Sequence, residues 1–101
     1  MLDNIENINI YFIEDIDPLI KYILIGKSYY INFENTYLKI YFFNKLHIYI
    51  ENLKIINCDC TNSKLEEQLK NISDETVIIY DISKGLNENN IIKTNQCIYV
   101  K

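Results

Sequence analysis

The stretch SYYINFENTYLKIYFFNKLHIYIENLKIINC, residues 28–58, decides the fold and contains neither Gly nor Pro. Four short runs rich in Ile, Tyr and Phe follow one another in it: Tyr29–Glu34, Tyr37–Phe43, Lys45–Glu51 and Leu53–Cys58. β-Branched and aromatic residues of this kind fit a pleated, half-buried surface. Side chains alternate along a strand, so parity sets the register. With Tyr29, Ile31 and Phe33 inward, a two-residue turn at Asn35-Thr36 pairs Phe33 with Leu38, Ile31 with Ile40 and Tyr29 with Phe42. A three-residue loop at Phe43-Asn44-Lys45 then pairs Phe42 with Leu46 and Ile40 with Ile48. A turn at Glu51-Asn52 pairs Ile50 with Leu53. Each turn contains an Asn, which tolerates positive φ better than most residues. The stretch therefore predicts a four-stranded antiparallel meander with one continuous apolar face.

The opposite face of that meander carries Tyr30, Tyr37, Tyr41 and Tyr49 together with Lys39 and Phe43, and His47, Lys54 and Ile56 share it. A tyrosine-rich surface with few acids has the composition of a binding face. These residues form the expected partner-binding site, with a subunit interface as the alternative use of the same face.

Elsewhere, alternation over residues 7–13 predicts a strand. Asp17-Pro18 suits a helix start, Leu19, Ile20, Ile23 and Leu24 form an apolar stripe, and Gly26 suits a left-handed C-cap, so a helix is expected over 18–25. Leu65, Leu69 and Ile72 fall on one helical face after Thr61-Asn62-Ser63, predicting a second helix over 63–72. Residues 76–80 form a continuous apolar run and read as a buried strand, with short strands at 91–93 and 96–100. The expected architecture is a single α+β domain over residues 1–101: an antiparallel sheet, extra strands, and two short helices packed on one face.

Composition narrows the function. Among 101 residues there are 21 Ile, 14 Asn, 10 Lys and 9 Tyr, while Arg, Ala and Trp are absent. Ile, Asn, Lys and Tyr share AT-rich codons, so part of this bias reflects a low-GC genome such as that of a phage, virus or AT-rich bacterium. The net charge is −4, and the Lys residues are scattered. Without Arg there is no bidentate fork for phosphate or guanine, so direct nucleic-acid binding is disfavoured. A basic protein surface, including a nucleic-acid-binding groove, suits an acidic chain better. No secretory signal is visible at Met1-Leu2-Asp3-Asn4, and the apolar window Ile8–Ile25 is broken by Glu14, Asp15, Asp17, Pro18 and Lys21, so no membrane span is expected. Three cysteines make an odd number and point to a reducing compartment, the cytoplasm, which is the host's cytoplasm for a phage or viral chain.

The chemistry-bearing residues are few. Cys58-Asp59-Cys60 spaces its thiols more tightly than zinc sites do, and His47 and Cys97 complete only a weak metal set, better read as structural cysteines. His47 is the single histidine. A Cys58–His47 pair would lack a Gly-rich oxyanion loop, and two lone glycines build no phosphate or dinucleotide loop. Paired carboxylates such as Glu14, Asp15 and Asp17 can hold Mg²⁺, but capping by Asp17 and the helix N-terminus that follows account for the cluster. Neither an enzyme nor a cofactor is expected. The sequence points to a small acidic protein-binding module of the inhibitor or antagonist type, carried by a phage, virus or mobile element as an anti-defence protein, or to a toxin-neutralising immunity protein. Either would act by occluding a target surface. The alternative is a structural homodimer or larger homo-oligomer joined through the tyrosine-rich face; a small enzyme or zinc domain ranks below both.

Overall fold

A computed structural model describes residues 5–58, 64, 67, 68, 70, 72, 75–82, 96 and 98–101. The described elements are β1 (Glu6–Ile10), a 3-10 turn (Ile13–Asp15), α1 (Ile16–Leu24), β2 (Tyr29–Phe33), α2 (Thr36–Tyr49), β3 (Leu53–Asn57), β4 (Val77–Asp81) and β5 (Ile98–Val100). The five strands form one sheet in the order β1-β2-β5-β4-β3. All four neighbouring pairs are parallel. The arrangement is α/β, not the antiparallel meander expected from residues 28–58.

The correction centres on residues 36–49, where two expected strands and a hairpin are replaced by one 14-residue helix. Asn35 is not a turn residue but the N-cap of α2: its side-chain oxygen accepts the Leu38 N–H at 3.0 Å. Leu38, Phe42 and Leu46 form the buried stripe. They are four residues apart, the spacing of one helical face. Four is also a multiple of two, so strand parity accepts the same residues as a single sheet face. The two periods part company at Ile40 and Ile48, which alternation turns inward and the helix leaves exposed.

Two layers of side chains cover the sheet. Tyr29 and Ile31 of β2, Ile79 of β4 and Ile98 and Val100 of β5 join the buried stripes of α1 and α2 in one apolar cluster. Their alternates Ile56, Ile78, Tyr80 and Tyr99 form a second cluster on the opposite face, against which Tyr30, Cys58 and Ile72 pack. The chain order explains this division. The crossovers from β1 to β2 and from β2 to β3 travel in one direction across the sheet, and that from β3 to β4 travels back. Right-handed crossovers in opposite directions lie on opposite faces. Accordingly α1 and α2 share the first face, and Cys58 and Ile72, which flank the β3–β4 connection, sit on the second. Strands buried on both sides read as continuous apolar runs, which is the pattern of Ile78-Ile79-Tyr80.

Helix α1 corresponds to the helix expected over 18–25 but begins at Ile16. Asp15, not Asp17, is its N-cap and makes no side-chain capping bond. Pro18 occupies the third helical position, where its missing N–H would have had no helical partner. The C-terminus is as expected: Gly26 has φ +94°, its N–H donates to Ile23 O at 3.0 Å, and the Lys27 N–H donates to Tyr22 O at 3.2 Å. This pair of bonds is the Schellman closure. Gln96, just before β5, fastens the same end, its Nε2 donating to Ile23 O at 2.7 Å and to Lys27 O at 2.9 Å. Burying Ile16, Leu19, Ile20 and Ile23 contributes roughly 1.5–3 kcal/mol per side chain, which holds this nine-residue helix in place.

Of the helix expected over 63–72, Lys64, Glu67 and Gln68 are helical, and its other positions apart from Lys70 and Ile72 lie outside the described residues. The strand expected at 91–93 lies wholly outside them. No helix among the described residues is long and apolar enough to cross a membrane.

Candidate functional site

The expected tyrosine face does not exist as a surface. Tyr30 is on β2, half-buried, and belongs to a cross-strand row with Tyr99 and Tyr80. Its ring lies 6.3 Å from that of Tyr99, which stacks on Tyr80 at 5.3 Å. Tyr37, Lys39, Tyr41, Phe43 and Tyr49 all lie on α2, distributed around its circumference. Phe43 packs toward the first core with its ring 5.8 Å from that of Phe42. Tyr49 is exposed at the C-terminal end, and Lys54 and Ile56 stand on β3 with Ile56 fully buried.

The weak metal set is also dispersed. His47 is exposed on α2, on the first face of the sheet, whereas Cys58 is half-buried and packed against the second core. The two cannot form a pair across the sheet. Cys60 and Cys97 lie outside the described residues. Among the described residues no group of three or more His, Cys, Asp or Glu side chains is placed to hold a metal ion.

Parallel sheets present ligand sites beyond the carboxyl ends of their strands, near the place where successive connections leave for opposite faces. Here that place lies between β2, which leads into α2, and β3, with β5 and β4 between them. Its ionic feature is Lys39, whose Nζ donates to Asp81 Oδ1 at 3.0 Å across the gap between α2 and the end of β4. Lys39 also lies 5.9 Å from the Phe43 ring centroid. The pair ties α2 to the sheet, and its charges neutralise one another.

The same rim exposes a different feature at its β1–β2 corner. The Glu34 N–H donates to Ile10 O at 2.9 Å, so the segment leaving β1 and the segment leaving β2 emerge side by side. The first is Tyr11-Phe12-Ile13, with Tyr11 55% and Phe12 61% exposed. The second leads through Glu34 and Asn35 to Tyr37, 64% exposed on the first turn of α2. Glu14, Asp15, Asp17 and Glu34 lie on these same two segments and on the start of α1, and all are exposed. The corner combines large apolar side chains with four carboxylates. Sequence reading gave Glu14, Asp15 and Asp17 a capping or metal role and missed Tyr11 and Phe12, because alternation carried the first strand on to residue 13. The strand in fact stops at Ile10.

The corner continues onto the outer side of α2. At 100° per residue, Tyr37, Ile40, Tyr41, Asn44 and Ile48 lie within about 100° of one another. Ile40 and Ile48 are exposed on this side, and Tyr41 is half-buried with Lys45 Nζ 5.6 Å from its ring centroid. Helix α2 thus has apolar residues on both sides, the inner stripe closing the core and the outer one open. Compared with family models, curated proteins and solved structures, the chain matches none.

Proposed function

We propose that this chain is a small protein-binding module that covers a basic, partly apolar surface of a partner protein, in the manner of an inhibitor or immunity protein. The observation that carries this reading is the corner where exposed Tyr11, Phe12 and Tyr37 stand among Glu14, Asp15, Asp17 and Glu34. Aromatic side chains supply large contact area with little entropy loss, and surrounding charges select and steer the partner. The net charge of −4 acts in the same sense at longer range. A target groove that itself binds nucleic acid has the complementary chemistry.

The test is affinity capture by the wild-type chain, followed by titration of the purified captured protein against Phe12→Ser and Tyr37→Ser variants. The reading requires at least tenfold weaker binding for each variant and a marked loss of affinity on raising salt. Unchanged affinity in both variants refutes it. A second reading, a homodimer through the outer stripe of α2, is favoured by Ile40 and Ile48, the latter 74% exposed. A monomeric mass by light scattering at 100 µM, in the absence of partner, removes it.

A further inference from the structure

The two edges of the sheet are finished differently. At the β3 edge, both outward groups of Asn57 are occupied by the amide of Gln68. The Asn57 N–H donates to Gln68 Oε1 at 3.2 Å, and Gln68 Nε2 donates to Asn57 O at 3.4 Å. The side-chain amide stands where a neighbouring strand's peptide group would be. At the other edge, Ile10 O accepts from β2, so the backbone groups of Ile10, Ile8 and Glu6 face inward and those of Asn7 and Asn9 face outward. Among the described residues nothing pairs with β1 on that side. Two N–H and two C=O groups are therefore aligned along an open edge, the arrangement that templates an added strand.

A groove of about 420 Å³ runs beside that edge, between β1 and α1. Its volume is within the range of ligand sites, roughly 300–1,000 Å³. Ile8 and Ile10 of β1 and Pro18, Leu19 and Tyr22 of α1 supply the apolar part of its lining, and Glu6, Asn9, Asp15 and Lys27 the polar part. Glu6 stands at the end where β1 begins, and Asp15 at the end where it finishes. Glu14 and Asp17 lie just beyond Asp15. The one lysine on the groove, Lys27, sits 4.9 Å from the Tyr22 ring centroid at the Glu6 end. Carboxylates therefore outnumber cations.

We propose that β1 and the groove beside α1 bind an extended, basic and apolar segment of a partner protein, added to the sheet as a sixth strand. Main-chain bonds to Asn7 and Asn9 give the segment its direction, and alternate side chains, about 6.6 Å apart, enter the groove. Of the groove-facing positions, the outer two carry Lys or Arg toward Glu6 and Asp15, and the one between them is apolar. A second copy of this chain is the wrong occupant on charge, since it would bring another net −4 against the same carboxylates. The inference rests on the protein-binding reading and deepens it, because Asp15 at one end of the groove donates its N–H to Phe12 O of the aromatic corner.

The probe is a blocked five-residue peptide with lysine at positions one and five, valine at three and threonine at two and four, titrated into the ¹⁵N-labelled chain. Saturable shifts centred on the Asn7 and Asn9 amides are expected. Backbone N-methylation of the peptide at one of its two alternate sets of residues weakens binding at least tenfold, and methylation of the other set leaves it within twofold. Asn9→Pro removes one edge donor, at a position where an edge strand accepts proline, and also weakens binding at least tenfold. Glu51→Gln, at the exposed far edge of the sheet, leaves it within twofold, and peptide binding that persists when partner capture fails separates failure of the corner from failure of the groove. The proposal is overturned by any of four results: no shift at millimolar peptide, equal binding of the counterpart with glutamate in place of lysine, equal effects of both N-methylation patterns, or β1 amides protected through a dimer without peptide.

Discussion

Truncating Phe42 and Ile48 to alanine, one at a time, separates the helical fold from its strand alternative. Both residues are even-numbered, so a meander buries both. Helix α2 buries Phe42 completely and leaves Ile48 74% exposed. The Phe42 ring sits between those of Phe33, at 5.1 Å, and Phe43, at 5.8 Å. Phe42→Ala removes these ring contacts and opens a cavity beneath the centre of α2, at a cost of about 3–5 kcal/mol. A domain of this size has roughly 5–15 kcal/mol in all, so the loss is a large share of the total. Ile48→Ala removes side chain that is already in water and shifts stability by less than about 0.5 kcal/mol. With a urea m-value of about 1.5 kcal/mol/M, Phe42→Ala moves the unfolding midpoint down by about 2–3 M and Ile48→Ala by at most about 0.3 M. The assay is urea unfolding followed by far-UV circular dichroism, with the slopes compared to confirm that both variants unfold as the parent does. Comparable losses for the two variants would refute the placement of α2.

Two further predictions concern single residues. At Gly26, an added Cβ meets nothing within 4 Å, but φ is +94°, so Gly26→Ala is expected to cost about 1 kcal/mol through backbone conformation alone; a neutral result in the same urea assay contradicts the Schellman closure of α1. Burial holds the Tyr29 phenol above its ordinary value, with the Glu6 carboxylate and Tyr22 adding to the shift. A raised folded value means that this contribution to stability is complete below the unfolded pKa of about 10 and is lost as pH rises through the folded one. Tyr29→Phe therefore flattens the decline of stability above pH ~10, and an unchanged alkaline profile refutes that role.

Most strands were legible and their direction was not. Residues 7–13, 29–34, 53–58, 76–80 and 96–100 overlap β1 to β5, because Ile, Tyr, Phe and Val concentrate wherever a pleated surface is buried. Misreading α2 as two strands replaced a crossover with hairpins, and the inferred pairing turned from parallel to antiparallel with it. Helix α2 resisted recognition for two physical reasons. Its residues are rich in β-formers, and apolar side chains on both sides leave no polar face to mark a helical period. The informative signals were Asn35, a good N-cap, and the uninterrupted run Val77-Ile78-Ile79-Tyr80, which is typical of a strand covered on both faces. Of the candidate site, the sequence showed the acids at 14, 15 and 17 and the exposed Tyr37. It did not show that β1 and β2 end side by side, which is what brings Tyr11 and Phe12 next to Asn35.

Hydrogen exchange on the chain alone and bound to its captured partner tests the central claim most directly. The acidic–aromatic corner predicts slowed exchange on binding over residues 10–17 and 34–41, the segments that leave β1 and β2. Protection confined to other segments, with those two exchanging as they do in the free chain, would contradict it.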